Sequence, residues 1–293
     1  MTIDFVRFKA TDGVGLQGWF TEAPGDTAVI YVHGMSGNGY ENYFLDNLRN
    51  LYLESGISFF AFDNRGRGII SSFRKGNRVD EWGEGEKLGG SCFELFEESI
   101  HDIQGAINFV KAKGKSKFVL QGHSLGGSKV VNYLLRTEQK DILGALLLAP
   151  TDMCAWAEID PRHEEYLSRA EKLLSENKPQ ELVGSACWLD QTPISAQTYP
   201  TISKRNTSVD IYSPREDEPL VSRVSVPMII IYGDQDIGIQ NINGTIDNWR
   251  NEIANIINKN TSVEIIQGAN HGFAGHEHQL VEIARRYLQN ILP

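Results

Sequence analysis

Cysteine is scarce in this chain. Its 293 residues hold three. Cys92, Cys154 and Cys187 are odd in number, far apart and without a C-x-x-C pair. That argues against a disulfide scaffold and a cysteine zinc site, and it suits a reducing compartment. Positive charge is also in short supply: 28 lysines and arginines stand against 38 aspartates and glutamates, a formal net charge of −10. The basic residues form no long run, so the electrostatic footprint of a nucleic-acid binder is missing. There is no apolar run of about 18 residues, the length a membrane-spanning helix needs. Met1 to Asp12 alternates polar and apolar residues and lacks the apolar core of a secretory signal. No repeat, low-complexity segment, metal-ligand cluster or dinucleotide fingerprint stands out. The expectation is a cytoplasmic globular protein without nucleic-acid or membrane partners. Its length suits one large core with an insertion, or two small domains.

What is present is an alternation of short apolar runs and helical periods. Asp4–Thr11 and Leu16–Glu22 read as paired strands around an Asp12-Gly13 turn. Ala28–Val32, Ile57–Phe62, Lys117–Gln121, Ile142–Ala149, Val226–Tyr232 and Ser262–Ile266 read as further strands. Tyr43–Ser55, Phe93–Lys113 and Val281–Leu292 carry helical spacing. Strands alternating with helices imply a mostly parallel sheet covered on both faces. Two stretches break the rhythm. Arg67–Cys92 has no period. Thr151–Arg223 suggests three helical pieces, one opening at Asp160-Pro161, one over Pro179–Trp188 and one near Ile194–Arg205.

One stretch joins strand to helix abruptly. Phe118, Val119 and Leu120 end a buried run, and Val130, Val131, Leu134 and Leu135 mark a helix. Between them stands Gly122-His123-Ser124-Leu125-Gly126, a G-x-S-x-G pattern. So sharp a turn strains the serine backbone, and side chains two positions either side would clash. The turn lifts Ser124 Oγ out of the sheet and leaves the Leu125 N–H at a helix start, facing incoming negative charge.

In α/β proteins the carboxyl ends of parallel strands carry the sites. After the third strand comes His33-Gly34-Met35, where a tight turn would free the Met35 N–H to pair with Leu125 as a two-donor oxyanion hole. After Val226–Tyr232 comes Gly233-Asp234-Gln235-Asp236, and after the last strand Asn270-His271-Gly272. The order is serine, acid, histidine.

With these motifs and Asp63-Asn64-Arg65-Gly66-Arg67-Gly68, the sequence resembles the α/β-hydrolase superfamily over nearly its whole length. The resemblance implies an α/β fold with a mostly parallel eight-stranded sheet, helices on both faces and a helical lid inserted after the sixth strand. Residues 1–150 and 224–293 would form the core and residues 151–223 the lid. It implies Ser124 as nucleophile, His271 as base and Asp236 as acid, with Asp234 as competitor for the acid and His276 and His278 for the base. His123 fits a packing or hydrogen-bonding role, and Arg65 is expected to pair locally. His33 is expected to orient the oxyanion loop. It joins Trp82, Trp156 and Trp188 as candidates for the substrate pocket, although the tryptophans equally suit packing of lid on core.

The chemistry needs these residue types. A serine hydroxyl is a weak nucleophile until a base takes its proton, imidazole does so near neutral pH, and a carboxylate fixes the imidazole tautomer. The expected function is hydrolysis of an ester, thioester, lactone or amide of a small or medium-sized molecule through an acyl-enzyme on Ser124, with no cofactor and no metal. Acyl transfer with the same triad, or ligand reception on a hydrolase scaffold, are the alternatives.

Overall fold

Runs of consecutive apolar residues become the strands of the core. The computed structural model describes residues 2–75, 85–138, 140–185, 192–213 and 218–292. In chain order the strands are β1 (Asp4–Lys9), β2 (Gly15–Thr21), β3 (Thr27–Val32), β4 (Ser58–Asp63), β5 (Ser71–Arg74), β6 (Glu86–Gly89), β7 (Lys117–His123), β8 (Ile142–Leu148), β9 (Leu182–Ser185), β10 (Pro193–Ser195), β11 (Met228–Gly233) and β12 (Thr261–Ile266). The helices are α1 (Phe44–Glu54), α2 (Ser99–Ala112), α3 (Leu125–Arg136), α4 (Met153–Glu158), α5 (His163–Ser175), α6 (Tyr199–Ser203), α7 (Ile237–Asn243), α8 (Ile246–Ile256) and α9 (Glu277–Ile291).

Eight strands form one sheet in the order β1-β2-β4-β3-β7-β8-β11-β12. Only β2 runs against the others, pairing antiparallel with both β1 and β4. The remaining neighbours are parallel. β3, β4 and β11 are buried at every position, as strands covered on both faces must be. Each large aliphatic or aromatic side chain removed from water there contributes about 1.5–3 kcal/mol. The order reverses beside β3: the chain steps to β4 on one side, then to β7 on the other. The crevice outside a switch point of this kind is where an open α/β sheet places its ligands. This is the α/β-hydrolase architecture that the sequence motifs imply.

Helices follow the amphipathic rule. α1 buries Phe44, Leu45, Leu48, Leu51 and Tyr52, and α9 buries Leu280, Ile283, Ala284, Tyr287 and Leu288. α3 is buried on nearly all sides, polar Ser128, Lys129 and Asn132 included.

The stretch after β8 differs from the reading of the sequence. The helix expected at Asp160-Pro161 begins two residues later, at His163, because Asp160 instead accepts from the Arg162 N–H at 2.9 Å and holds a turn. Among the described residues of the helix expected over Pro179–Trp188, Leu182–Ser185 is instead a strand paired antiparallel with Pro193–Ser195; residues 186–188 lie outside the described residues. The third expected helix shortens to α6. A second hydrophobic cluster forms within this stretch, from Met153, Ala157, Tyr166, Val183, Ile194 and Tyr199 among others. It meets the main body through Phe96, Leu125 and Met35, which lie beside the switch point. Within Arg67–Cys92, β5 and β6 form a hairpin. Trp82 and Trp188 lie outside the described residues.

Candidate active site

The turn after β7 is built from close approaches that only glycine allows. A Cβ on Gly122 would lie 2.5 Å from the Gly126 carbonyl oxygen, and one on Gly126 would lie 2.1 Å from that of Val32. The helix start is thereby pressed against both its own strand and its neighbour. Ser124 takes the strain, with φ 54° and ψ −129°. A non-glycine residue in such a conformation costs about 1–3 kcal/mol, and such residues cluster at functional sites. The Ser124 N–H donates to the Leu148 carbonyl at 2.9 Å, which fixes the elbow to β8.

Four loops bring the remaining groups to this point. Ser124, Gly34, Met35, His123, Trp156 and His271 border one cavity of about 220 Å³. His271 Nδ1 donates to Asp236 Oδ2 at 2.9 Å, the bond that in a neutral ring places the proton on Nδ1 and the lone pair on Nε2. Asp236 is 2% exposed and its other oxygen accepts from the Gly238 N–H at 2.8 Å. Asp234 does different work: its carboxylate accepts from the Gly268 N–H at 2.7 Å and ties the acid loop to the histidine loop. A Cβ on Gly233 would come within 2.1 Å of the Ala269 carbonyl oxygen, so the same two loops are pressed together there as well. His276 bonds the nearby Ala274 carbonyl, and His278 borders a separate cavity between β12 and α9. Among the described residues no hydrogen bond joins Ser124 Oγ to His271. In unliganded sites such bonds are commonly long and tighten when substrate arrives.

The Met35 and Leu125 amides have no acceptor in any turn, loop or cap among the described residues. Leu125 is the first residue of α3, where a helix leaves its N–H unpaired. Gly34 lies against the serine, with a would-be Cβ 2.8 Å from Ser124 Cβ. The 33–37 loop is held from behind. His33 Nε2 accepts from the Asn64 N–H at 2.9 Å, so its proton is on Nδ1, which donates to the Gly34 carbonyl at 2.9 Å. Asn64 Nδ2 donates in turn to the His33 carbonyl at 3.0 Å. His33 is therefore fully buried behind the loop and does not line the cavity, contrary to its place among the pocket candidates. Burial, reinforced by the Lys129 charge, holds it neutral and lowers its pKa to about 3.

His123 is likewise buried, its pKa lowered to about 3 by burial and then by neighbouring His271. As the neutral ring it donates from Nε2 to the His271 carbonyl at 2.9 Å, anchoring the histidine loop to the elbow.

Behind Asn64 lies a fully buried ion pair. Lys129 Nζ donates to Glu94 Oε2 at 2.6 Å and to Asn64 Oδ1 at 3.2 Å. Both ionic side chains are 0% exposed, and Glu94 Oε1 has no partner. Arg65, expected to pair locally, reaches instead across the fold to Asp102, Asp12 and Glu98. The loop after β4 is thus clamped to α2, to the β1–β2 turn and to α3.

Of the tryptophans, Trp156 borders the cavity. Reading the sequence missed other wall residues: Glu41, Asn42, Thr151, Met153 and Ile237. A signal for Glu41 existed. Asn38 stands three residues before it, the spacing of a capping box, and Asn38 Oδ1 accepts from the Glu41 N–H at 2.8 Å. Among the described residues Asp152, Cys154 and Asp210 place possible ligand atoms within 4.8 Å of one another. Arg205 Nη1 lies 3.3 Å from both carboxylates and supplies the positive charge they need.

Comparison with known proteins agrees with this architecture. A family profile described as "Protein of unknown function (DUF1749)" matches residues 90–289. The uncharacterized protein YfhR of Escherichia coli K12 is 28% identical over 151 residues, which are 48% of this chain and 45% of that protein. The chain thus spans about half the length of that relative. The esterase Pf2001 of Pyrococcus furiosus superposes with a TM-score of 0.64 at 17% identity, covering 100% of this chain and 92% of the esterase. The α/β hydrolase GrgF of Penicillium sp. sh18 gives 0.69 at 16% identity, with 100% and 99% covered. With a profile match over most of its length, and with the elbow, the switch point and these folds in agreement, the chain belongs to the DUF1749 family and has the α/β-hydrolase fold.

Proposed function

We propose that the chain is a serine hydrolase that cleaves an ester, thioester, lactone or amide of a small or medium-sized molecule. One observation carries the reading: a strained serine shares a cavity with a histidine whose Nδ1 is held by a buried aspartate. In this reading His271 Nε2 takes the Ser124 proton as Oγ attacks the carbonyl carbon. The carbonyl oxygen becomes an oxyanion and accepts from the Met35 and Leu125 amides. Collapse breaks the bond to the leaving group, which takes the proton from His271 and departs, leaving an acyl-serine. Water, deprotonated by the same histidine, attacks the acyl carbon and restores the serine. Asp236 keeps the imidazole in its tautomer and stabilises the imidazolium. Residues 151–223 serve as the cap over this site, and residues 1–150 with 224–293 as the catalytic core. No step in this chemistry calls for a metal or an organic cofactor.

Turnover of p-nitrophenyl acetate tests the reading. Ser124→Ala is expected to lower kcat/KM by about 10³-fold or more. Asp236→Asn is expected to lower kcat by about 10⁴-fold through the wrong tautomer, and Asp234→Asn by less than about tenfold. Full activity in Ser124→Ala would remove the mechanism. Equal losses in the two aspartate variants would remove the assignment of Asp236.

A further inference from the structure

The cavity beside Ser124 carries a fixed carboxylate that the hydrolytic steps leave unused. Glu41 lies on its wall, just beyond the loop that offers the Met35 amide. The side chain is not free to wander. Asn38 Oδ1 accepts from the Tyr40 N–H at 3.0 Å and the Glu41 N–H at 2.8 Å, and Asn38 Nδ2 donates to Glu41 Oε2 at 2.7 Å. Oε1 has no hydrogen bond among the described residues and lies near Gly37, 3.2 Å from where its Cβ would stand. The neighbouring wall residue offers the same polarity. Asn42 Nδ2 is committed to the Tyr31 hydroxyl at 2.8 Å, which leaves Asn42 Oδ1 as an acceptor.

No lysine or arginine lines this cavity among the described residues. Glu41 is exposed at the cavity's rim, where its pKa is raised by desolvation and then by Asp63, and a neutral amide, not a cation, is what holds it. An anchored anion with an open oxygen, beside a second acceptor and in a cavity that apolar Met153, Trp156 and Ile237 also line, suits one kind of group. That group is a cation that donates hydrogen bonds, carried on a short apolar stem.

We propose that Glu41 makes the site selective for substrates carrying an ammonium group at the end of a short chain from the scissile carbonyl, such as esters or amides of ω-amino acids, and against those carrying a carboxylate or phosphate there. This rests on the serine-hydrolase reading of the same cavity.

Three p-nitrophenyl esters of equal chain length separate the possibilities: hexanoate, 6-aminohexanoate and the monoester of adipate. In wild type, kcat/KM is expected to fall in the order amino, neutral, carboxylate, with about tenfold or more between the extremes, the scale of one charge-assisted hydrogen bond. Added salt should narrow the spread. Glu41→Gln should bring the three within about threefold, and Glu41→Lys should invert the order. A flat order in wild type, or the wild-type order kept in Glu41→Gln, would overturn the proposal. A neutral fluorophosphonate separates this failure from that of the parent reading. An adduct on Ser124 with no charge preference overturns the role of Glu41 alone. No adduct and no turnover of any ester overturns both.

Discussion

His33 and His123 show what single residues do behind this site. His33 spends its ring nitrogens on the Gly34 carbonyl and the Asn64 N–H, and His123 spends its Nε2 on the His271 carbonyl. Both are buried and neutral, with pKa values lowered to about 3. An unfolded histidine titrates near ~6.5. Between those values the unfolded chain binds protons that the folded chain refuses, so stability present above pH ~6.5 is lost as pH falls through the window. Each histidine contributes up to ~1.4 kcal/mol per pH unit there. The Tm measured from pH 7 to pH 5 should therefore fall, and it should fall less steeply in His123→Asn; parallel slopes would contradict the account. Sequence reading reached this scale unevenly. The strand-end positions of Ser124 and Asp236 were legible because each follows a continuous apolar run, and that of His271 because Val263, Ile265 and Ile266 mark a last, shorter apolar strand. The burial of His33 was not, because it depends on Asn64, brought beside it by the pairing of β3 with β4.

At the scale of elements, the elbow and the loop after β4 depend on α3 and on the segment that leads into α2. A buried ion pair between Lys129 and Glu94 connects them, and burying two charges costs more than an apolar contact of the same volume. Its use here is placement: Lys129 also donates to Asn64, which holds His33. Lys129→Met alone leaves Glu94 buried and unpaired and should cost about 3–5 kcal/mol. Lys129→Met with Glu94→Leu should regain most of that stability in urea melts while ester turnover stays low, since Asn64 loses its anchor. Recovery of both together would mean that the pair serves packing only. The helix expected over Pro179–Trp188 failed at this same scale. β9 and β10 are four and three residues long, too short for an alternating pattern to show, and their pairing comes from packing on α5 rather than from local preference. α7 and α8 went unread for another reason: they follow the acid loop without a break. Thr245, whose side chain accepts from the Asn248 N–H, was the available start signal.

For the whole molecule, one sheet sets the site at its switch point, and a second hydrophobic cluster lies beyond β8, touching the main body through Phe96, Leu125 and Met35. That cluster is small, and α5 buries only His163, Tyr166 and Ala170. Hydrogen exchange should show α5 opening at a lower free energy than β3, β7 and β11. Protection of α5 up to the global limit would mean that the second cluster and the main body unfold as one unit. No helix among the described residues is long and apolar enough to cross a membrane. In the proposed reading the whole assembly of elbow, acid loop and histidine loop activates Ser124. Intact-mass measurement after exposure to a fluorophosphonate tests it most directly, with wild type, Ser124→Ala and His271→Ala side by side. A single adduct on wild type, none on Ser124→Ala and much slower labelling of His271→Ala is the expected result. A folded wild type that takes no adduct, or a Ser124→Ala variant that still takes one, would contradict it.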